Sequence, residues 1–177
     1  MPIVALDGGW TDLLSAEHDA LDLLERLGGA VAEATVCTHV LRLASENRYA
    51  LTIAAPRTIP AGSAGASVRT AHPDDDSPLG RLAGQHAQRS GGRAMHFPGQ
   101  DLLRGRLGLD AVITLSAIEA FHHTGNPPKA NAVLATRDFV RPTFADGRLV
   151  LVTQPGLDGD VMPFEVENPT RCCEFHV

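Results

Sequence analysis

At 177 residues, with 44 % hydrophobic and 20 % charged side chains, the chain has the size and composition of one globular domain able to bury a full core. A formal charge of −6 argues against the basic face that nucleic acid requires. No apolar run approaches the roughly 18 residues needed to span a bilayer, so neither nucleic acid nor a membrane is an expected partner.

Met1–Trp10 has no basic stretch before its apolar residues, so no secretory signal is expected and the cytoplasm is the expected compartment. Arg outnumbers Lys fourteen to one, Lys129 being the single lysine. With the abundance of Ala, Gly and Leu, that bias fits GC-rich codons and a bacterial source. Cys37, Cys172 and Cys173 are too few for a disulfide scaffold and fit reduced thiols.

Pro2–Leu6 reads as a first strand closed by Asp7-Gly8-Gly9. A helix is expected from Thr11 to Leu27, capped by Thr11 or Asp12. Trp10, Leu13, Leu14, Leu21, Leu24 and Leu27 supply its apolar spacing, and Asp12, Glu17, Asp19, Asp22 and Glu25 fill the other face. From Thr35 the pattern alternates, with Cys37, His39, Leu41 and Leu43 on one face. Ser45-Glu46-Asn47 turns the chain back into Tyr49–Ala54, which makes a hairpin. Arg57–Ser77, rich in Gly, Ala, Ser and Pro, reads as a long flexible loop.

Ser77 then caps a helix with Pro78 at its first position. The helix runs to about Arg89 and stops at Gly91-Gly92; its apolar stripe of Leu79, Leu82 and Ala83 is thin, which predicts a surface position. Asp101–Leu107 adds a helical turn or two. Asp110–Leu115, with β-branched Val112, Ile113 and Thr114, reads as a buried strand. Ser116 and Glu119 form a Ser-x-x-Glu capping box opening a helix that ends near His123, before Gly125 and Pro127. Ala145-Asp146-Gly147 separates Phe139–Phe144 from Leu149–Thr153 as a hairpin turn. Val161–Val166 is the last strand, and residues 168–177 are a coil tail. The sum is a single α+β domain, a mainly antiparallel sheet with two or three helices packed on one face.

Ser116 and Glu119, at a predicted helix N-terminus whose N–H groups could hold an anion, and His122 and His123, at its far end, are the expected ligand-binding residues. His122, His123, Cys172, Cys173 and His176 form a candidate metal set, because imidazole and thiolate suit zinc or iron. Against it, the cysteines are adjacent and no Cys-x-x-Cys or His-x-x-x-His spacing is present. Asp74-Asp75-Asp76 beside His72 offers hard oxygens for Mg²⁺ or Ca²⁺ but lacks EF-hand spacing and reads first as a solvated run. Cys37 and His39 could pair as nucleophile and base, yet their alternation with Leu41 and Leu43 reads first as core. No hydrolase, zinc-protease or kinase signature occurs.

These features favour a non-catalytic cytoplasmic module that binds a small ligand or a protein partner and assembles as a homo-oligomer. The competing reading is a small metal- or thiol-dependent enzyme built on the His and Cys residues near 116–124 and the tail. A third is a structural subunit contacting its copies through the Thr11–Leu27 helix.

Overall fold

A computed structural model describes residues 1–28, 32–59, 67–129 and 131–167. Among these residues, eleven strands form one mainly antiparallel sheet with three helices, an α+β architecture. The predicted tail at 168–177 and most of the predicted loop's centre, 60–66, lie outside the described residues. Among the described residues no helix is long and apolar enough to cross a membrane.

The first half is built from elements whose own sequences specify them. β1 (Ile3–Asp7) pairs with β3 (Asn47–Ala54), which pairs along its whole length with β2 (Thr35–Arg42), from Thr35 opposite Ala54 to Arg42 opposite Asn47. Between β1 and β2 runs α1 (Leu13–Leu27), where the Asp12 carboxylate accepts from the Ser15 N–H at 2.8 Å. That bond satisfies one of the donors a helix start leaves unpaired. A short β4 (Arg69–Ala71) adds to the other edge of β1, inside the stretch that reads as loop.

Strand alternation sends Val4, Leu6, Val36, Leu51 and Ile53 to one side of this sheet, where Ala16, Ala20, Leu23 and Leu24 of α1 cover them. The inward stripe is thus the one with the alanines, which lets the helix approach closely. Leu14 and Leu21, expected inside, face solvent at 78 % and 50 % exposure. The other side carries Ala5, Leu41 and Ala50, covered by α2 (Pro78–Ala87). The helices therefore divide between the two faces and do not share one.

α2 starts as its sequence predicts, with the Ser77 hydroxyl accepting from the Gly80 N–H at 2.9 Å. It does not lie on the surface, because Leu79, Gly80, Leu82, Ala83 and His86 are all buried. Small residues make that possible, and a Cβ at Gly80 would sit 2.2 Å from the Asp75 carbonyl oxygen. A thin stripe of small side chains hides a tightly seated helix.

β5 (Arg93–His96) joins β2 and leads, through β9 (Thr143–Ala145), into the second half of the sheet. β9 and β10 (Arg148–Pro155) form the predicted hairpin, with Asp146 and Gly147 both at positive φ (50° and 76°). Two consecutive positive φ angles define the turn whose twist suits a two-residue hairpin. β11 (Val161–Pro163) pairs with the end of β10 and is shorter than the expected 161–166 strand. β8 (Val133–Ala135) lies parallel to β11, and β6 (Arg106–Gly108) closes the edge against β8, where helical turns are expected from the sequence beyond the short Gln100–Leu102 turn.

Segment 109–123 carries its elements in the reverse of the expected order. Leu109–Leu115 is a helix, α3, and Ala120–His123 is a strand, β7, parallel to β10. Of the β-branched run only Val112 is buried, while Ile113 is 42 % exposed, so burial on one side outweighs strand propensity. Ser116 closes α3 and does not open a helix: its hydroxyl donates to the Val112 carbonyl at 2.8 Å and accepts from the Ile118 N–H at 3.2 Å.

Candidate functional site

β7 and β10 meet in register with His123 beside Thr153. Thr153 is fully buried, and its hydroxyl is hydrogen-bonded to His123 Nδ1. The Thr124 N–H and hydroxyl both donate to the Thr153 carbonyl, at 2.8 and 3.1 Å. Phe121, two residues back on the same face of β7, stacks near-parallel with the His123 ring at 6.2 Å. These contacts fix the imidazole through Nδ1 and leave Nε2 as its outward nitrogen. Burial, and after it the neighbouring His122, push His123 below the ordinary imidazole value.

Beyond His123 the chain turns at Gly125 (φ +93°) into Asn126-Pro127-Pro128-Lys129. This segment faces the end of β10 and the turn into β11 across a cavity of about 240 Å³. Pro127, Pro128, Pro155 and Val161 give it stiff apolar walls, and His123, Asn126, Lys129 and Asp160 bring polar groups to its rim. Asp160 is held in a two-point ion pair with Arg106, one contact being 3.0 Å. Lys129 lies across Gly159, where a Cβ would come within 3.5 Å of Nζ. Its ammonium makes no ion pair among the described residues. An apolar pocket with a few convergent polar groups is the usual shape of a small-molecule site, and among the described residues the unmatched charge here is positive.

Of the residues expected to bind a ligand, only His123 lines this cavity. His122 is its neighbour on a strand and points to the opposite, exposed side, so alternation prevents the pair from gripping one ion. Ser116 caps α3. Glu119 lies just before β7, about 13 Å along a strand from His123, and its carboxylate accepts from the Leu149 N–H at 2.8 Å and pairs with both arms of Arg89. Burial works to raise the Glu119 carboxyl, but Leu149 and Arg89 outweigh it and hold it below its usual value. Its role is to tie β7 to β10 and to the end of α2, and it caps no helix.

Cys172, Cys173 and His176 lie outside the described residues; among those described, no group of three or more His, Cys, Asp or Glu is placed to hold a metal ion. Asp75 closes its own turn, accepting from the His72 N–H at 2.6 Å. Cys37 is fully buried and its thiol is pushed far up by burial, so it is not an activated nucleophile. His39 is buried as expected, but its partner is Thr52: Nε2 lies 2.8 Å from the Thr52 hydroxyl, which lies 2.7 Å from Nδ1 of His86. His86 falls on the inward stripe of α2 with Leu79, Leu82 and Ala83, a spacing that the sequence already contains. Lys129 and Asp160 were missed, although a lone lysine directly after two prolines is a legible peculiarity.

Comparisons with protein-family models, with curated proteins and with solved structures find no match to this chain.

Proposed function

We propose that the chain is a non-catalytic module that binds a small molecule with an apolar body and a carboxylate. The reading is supported by one observation above all: an apolar, proline-walled cavity whose polar rim combines the Lys129 ammonium, without an ion pair among the described residues, with an anchored His123. A carboxylate would meet Lys129 and the His123 Nε2–H together, and the apolar part would displace water from Pro127, Pro155 and Val161. Asp160 does not oppose it, because Arg106 already neutralises that carboxylate. Prolines on both sides keep the walls in place, so little ordering is required on binding.

Isothermal titration with benzoate and hexanoate, against benzamide and hexanamide, tests this reading. The acids should bind and the amides bind at least tenfold more weakly. Lys129→Met should lower acid affinity roughly 10- to 100-fold, since a hydrogen bond to a charged group contributes about 1.5–3 kcal/mol. Equal binding of acids and amides, or an unchanged affinity in Lys129→Met, would sink the proposal.

The homo-oligomer in this reading has its own support. Leu14 and Leu21, seven residues apart on the outer face of α1, form an exposed apolar stripe that a second copy would cover. Native mass spectrometry of Leu14→Glu beside the unaltered protein tests it, and multimers surviving in the variant would remove α1 from the contact.

A further inference from the structure

The strongest arrangement outside the pocket lies between α2 and the sheet. Two imidazoles, His39 from β2 and His86 from the last turn of α2, share the single hydroxyl of Thr52 on β3. All three side chains are buried. Cys37 lies beside them on β2, directly opposite Thr52 in the strand register. Gly92 closes the cluster from the connection after α2, and Phe144 of β9 packs its ring 5.2 Å from that of His86. Among the described residues the charged side chain acting on His86 is Arg89, whose guanidinium stands over the Phe144 ring at 5.1 Å. No carboxylate lies within ion-pair distance of either imidazole among the described residues.

With an arginine among the charges acting on it, and no carboxylate in ion-pair distance among the described residues, this buried histidine pair favours neutral rings. The two nitrogens facing Thr52 can be no more than about 5.5 Å apart, the sum of the two hydrogen bonds. Charging either ring places an uncompensated cation in an apolar interior, and charging both adds mutual repulsion. We infer that His39, Thr52 and His86 form an acid-sensitive latch, which holds α2 on the sheet while both rings are neutral and releases it when they are protonated.

The direction follows from burial, which lowers both imidazoles from 6.5 to about 4. For a depressed histidine the stabilisation is complete above pH 6.5 and is lost as pH falls towards 4. One such imidazole makes opening ~30-fold more favourable at pH 5 than at pH 7.5, and two together approach a thousandfold. Because His86 lies on α2 and its partner on the sheet, the release is expected in α2 before the remainder of the fold.

Amide hydrogen exchange of the full chain at pH 7.5 and pH 5, corrected for the intrinsic rates, reads this out. The amides of Leu82–His86 should open at least 30-fold more often at pH 5, while those of α1 change much less. The triple variant His39→Leu/Thr52→Val/His86→Leu, which fills the same space with apolar side chains, should show no such acid response. Protection in α2 that tracks α1 at both pH values, or that stays flat in the unaltered protein, would overturn the latch. If the triple variant does not fold, proton NMR titration of the two ring Cε1–H signals in the native protein decides the matter. Midpoints near 4 sustain the latch, and midpoints near 6.5 overturn it.

Discussion

Replacing Gly92 by alanine is the sharpest single probe of how tightly α2's far end is locked onto the sheet. Gly92 has φ +111°, a conformation that costs a residue with a side chain about 1–3 kcal/mol. The added Cβ would also stand 2.7 Å from His39 Cε1, 2.8 Å from His39 Nε2 and 3.0 Å from Cys37 Cβ. Neither neighbour can retreat: Cys37 is fully buried, and the His39 ring is tied to Thr52. Forcing one carbon into a filled interior costs about 1–3 kcal/mol more. The Gly92 carbonyl meanwhile accepts from the Phe144 N–H and the Thr143 hydroxyl, both at 3.0 Å, so the backbone cannot swing aside without losing them. Together the loss should be about 2–6 kcal/mol, centred on ~4, a large part of the total stability of an ordinary domain. Urea unfolding followed by Trp10 fluorescence should show a midpoint about 2 M lower at an unchanged slope of about 2 kcal/mol per M. Gly105→Ala provides the control, because Gly105 also has positive φ (+66°) but nothing lies within 4 Å of its would-be Cβ. That variant should lose only the backbone term. A Gly92→Ala loss below about 1 kcal/mol, or equal to that of Gly105→Ala, would show that the cluster yields and would refute the reasoning.

Two further consequences concern the buried charges and the thiol. Glu17 of α1 pairs with Arg93 of β5 and approaches Arg141 at 3.6 Å, and Arg93 also holds Glu165 through contacts of 2.6 and 2.8 Å. Glu17→Ala should cost about 2–4 kcal/mol by urea unfolding, because it leaves the largely buried Arg141 without its acid; Glu17→Gln should recover part of the loss by keeping a hydrogen-bond acceptor, and equal losses would remove the argument. Cys37 should resist iodoacetamide at pH 8 in the native protein, as read by mass mapping of its peptide, and should react fully in urea. Rapid native labelling would contradict a thiol raised by burial.

How much of this was legible depends on where each element's bonds go. The two strands of the Thr35–Ala54 hairpin, α1 and α2 are each 8 to 15 residues long, and their caps and alternation are local facts that any chain with those residues would carry. The second half has strands of three or four residues apart from β10. At that length neither period can establish itself, and pairing partners far along the chain decide the conformation. Val112-Ile113-Thr114 shows the failure plainly, since its strand-forming side chains are mostly exposed and helical hydrogen bonds satisfy its backbone.

The capping box at Ser116 and Glu119 fails for a more instructive reason. Both residues do bond to backbone, as a capping pair would, but Ser116 reaches back to Val112 at the end of a helix and Glu119 reaches across to Leu149. The same donors and acceptors serve a strand start once β10 is beside them. The candidate site follows this logic. His123 was legible as a chemically capable residue, but its use depends on Thr153, thirty positions away, to hold Nδ1, and on a turn that brings Gly159 under Lys129. The His39–Thr52–His86 cluster was half legible, since alternation buries His39 and the helical stripe buries His86. What no single segment states is that both reach for one hydroxyl. Sequence patterns locate buried polar groups one element at a time, and the chemistry of such groups begins only where two elements share a partner.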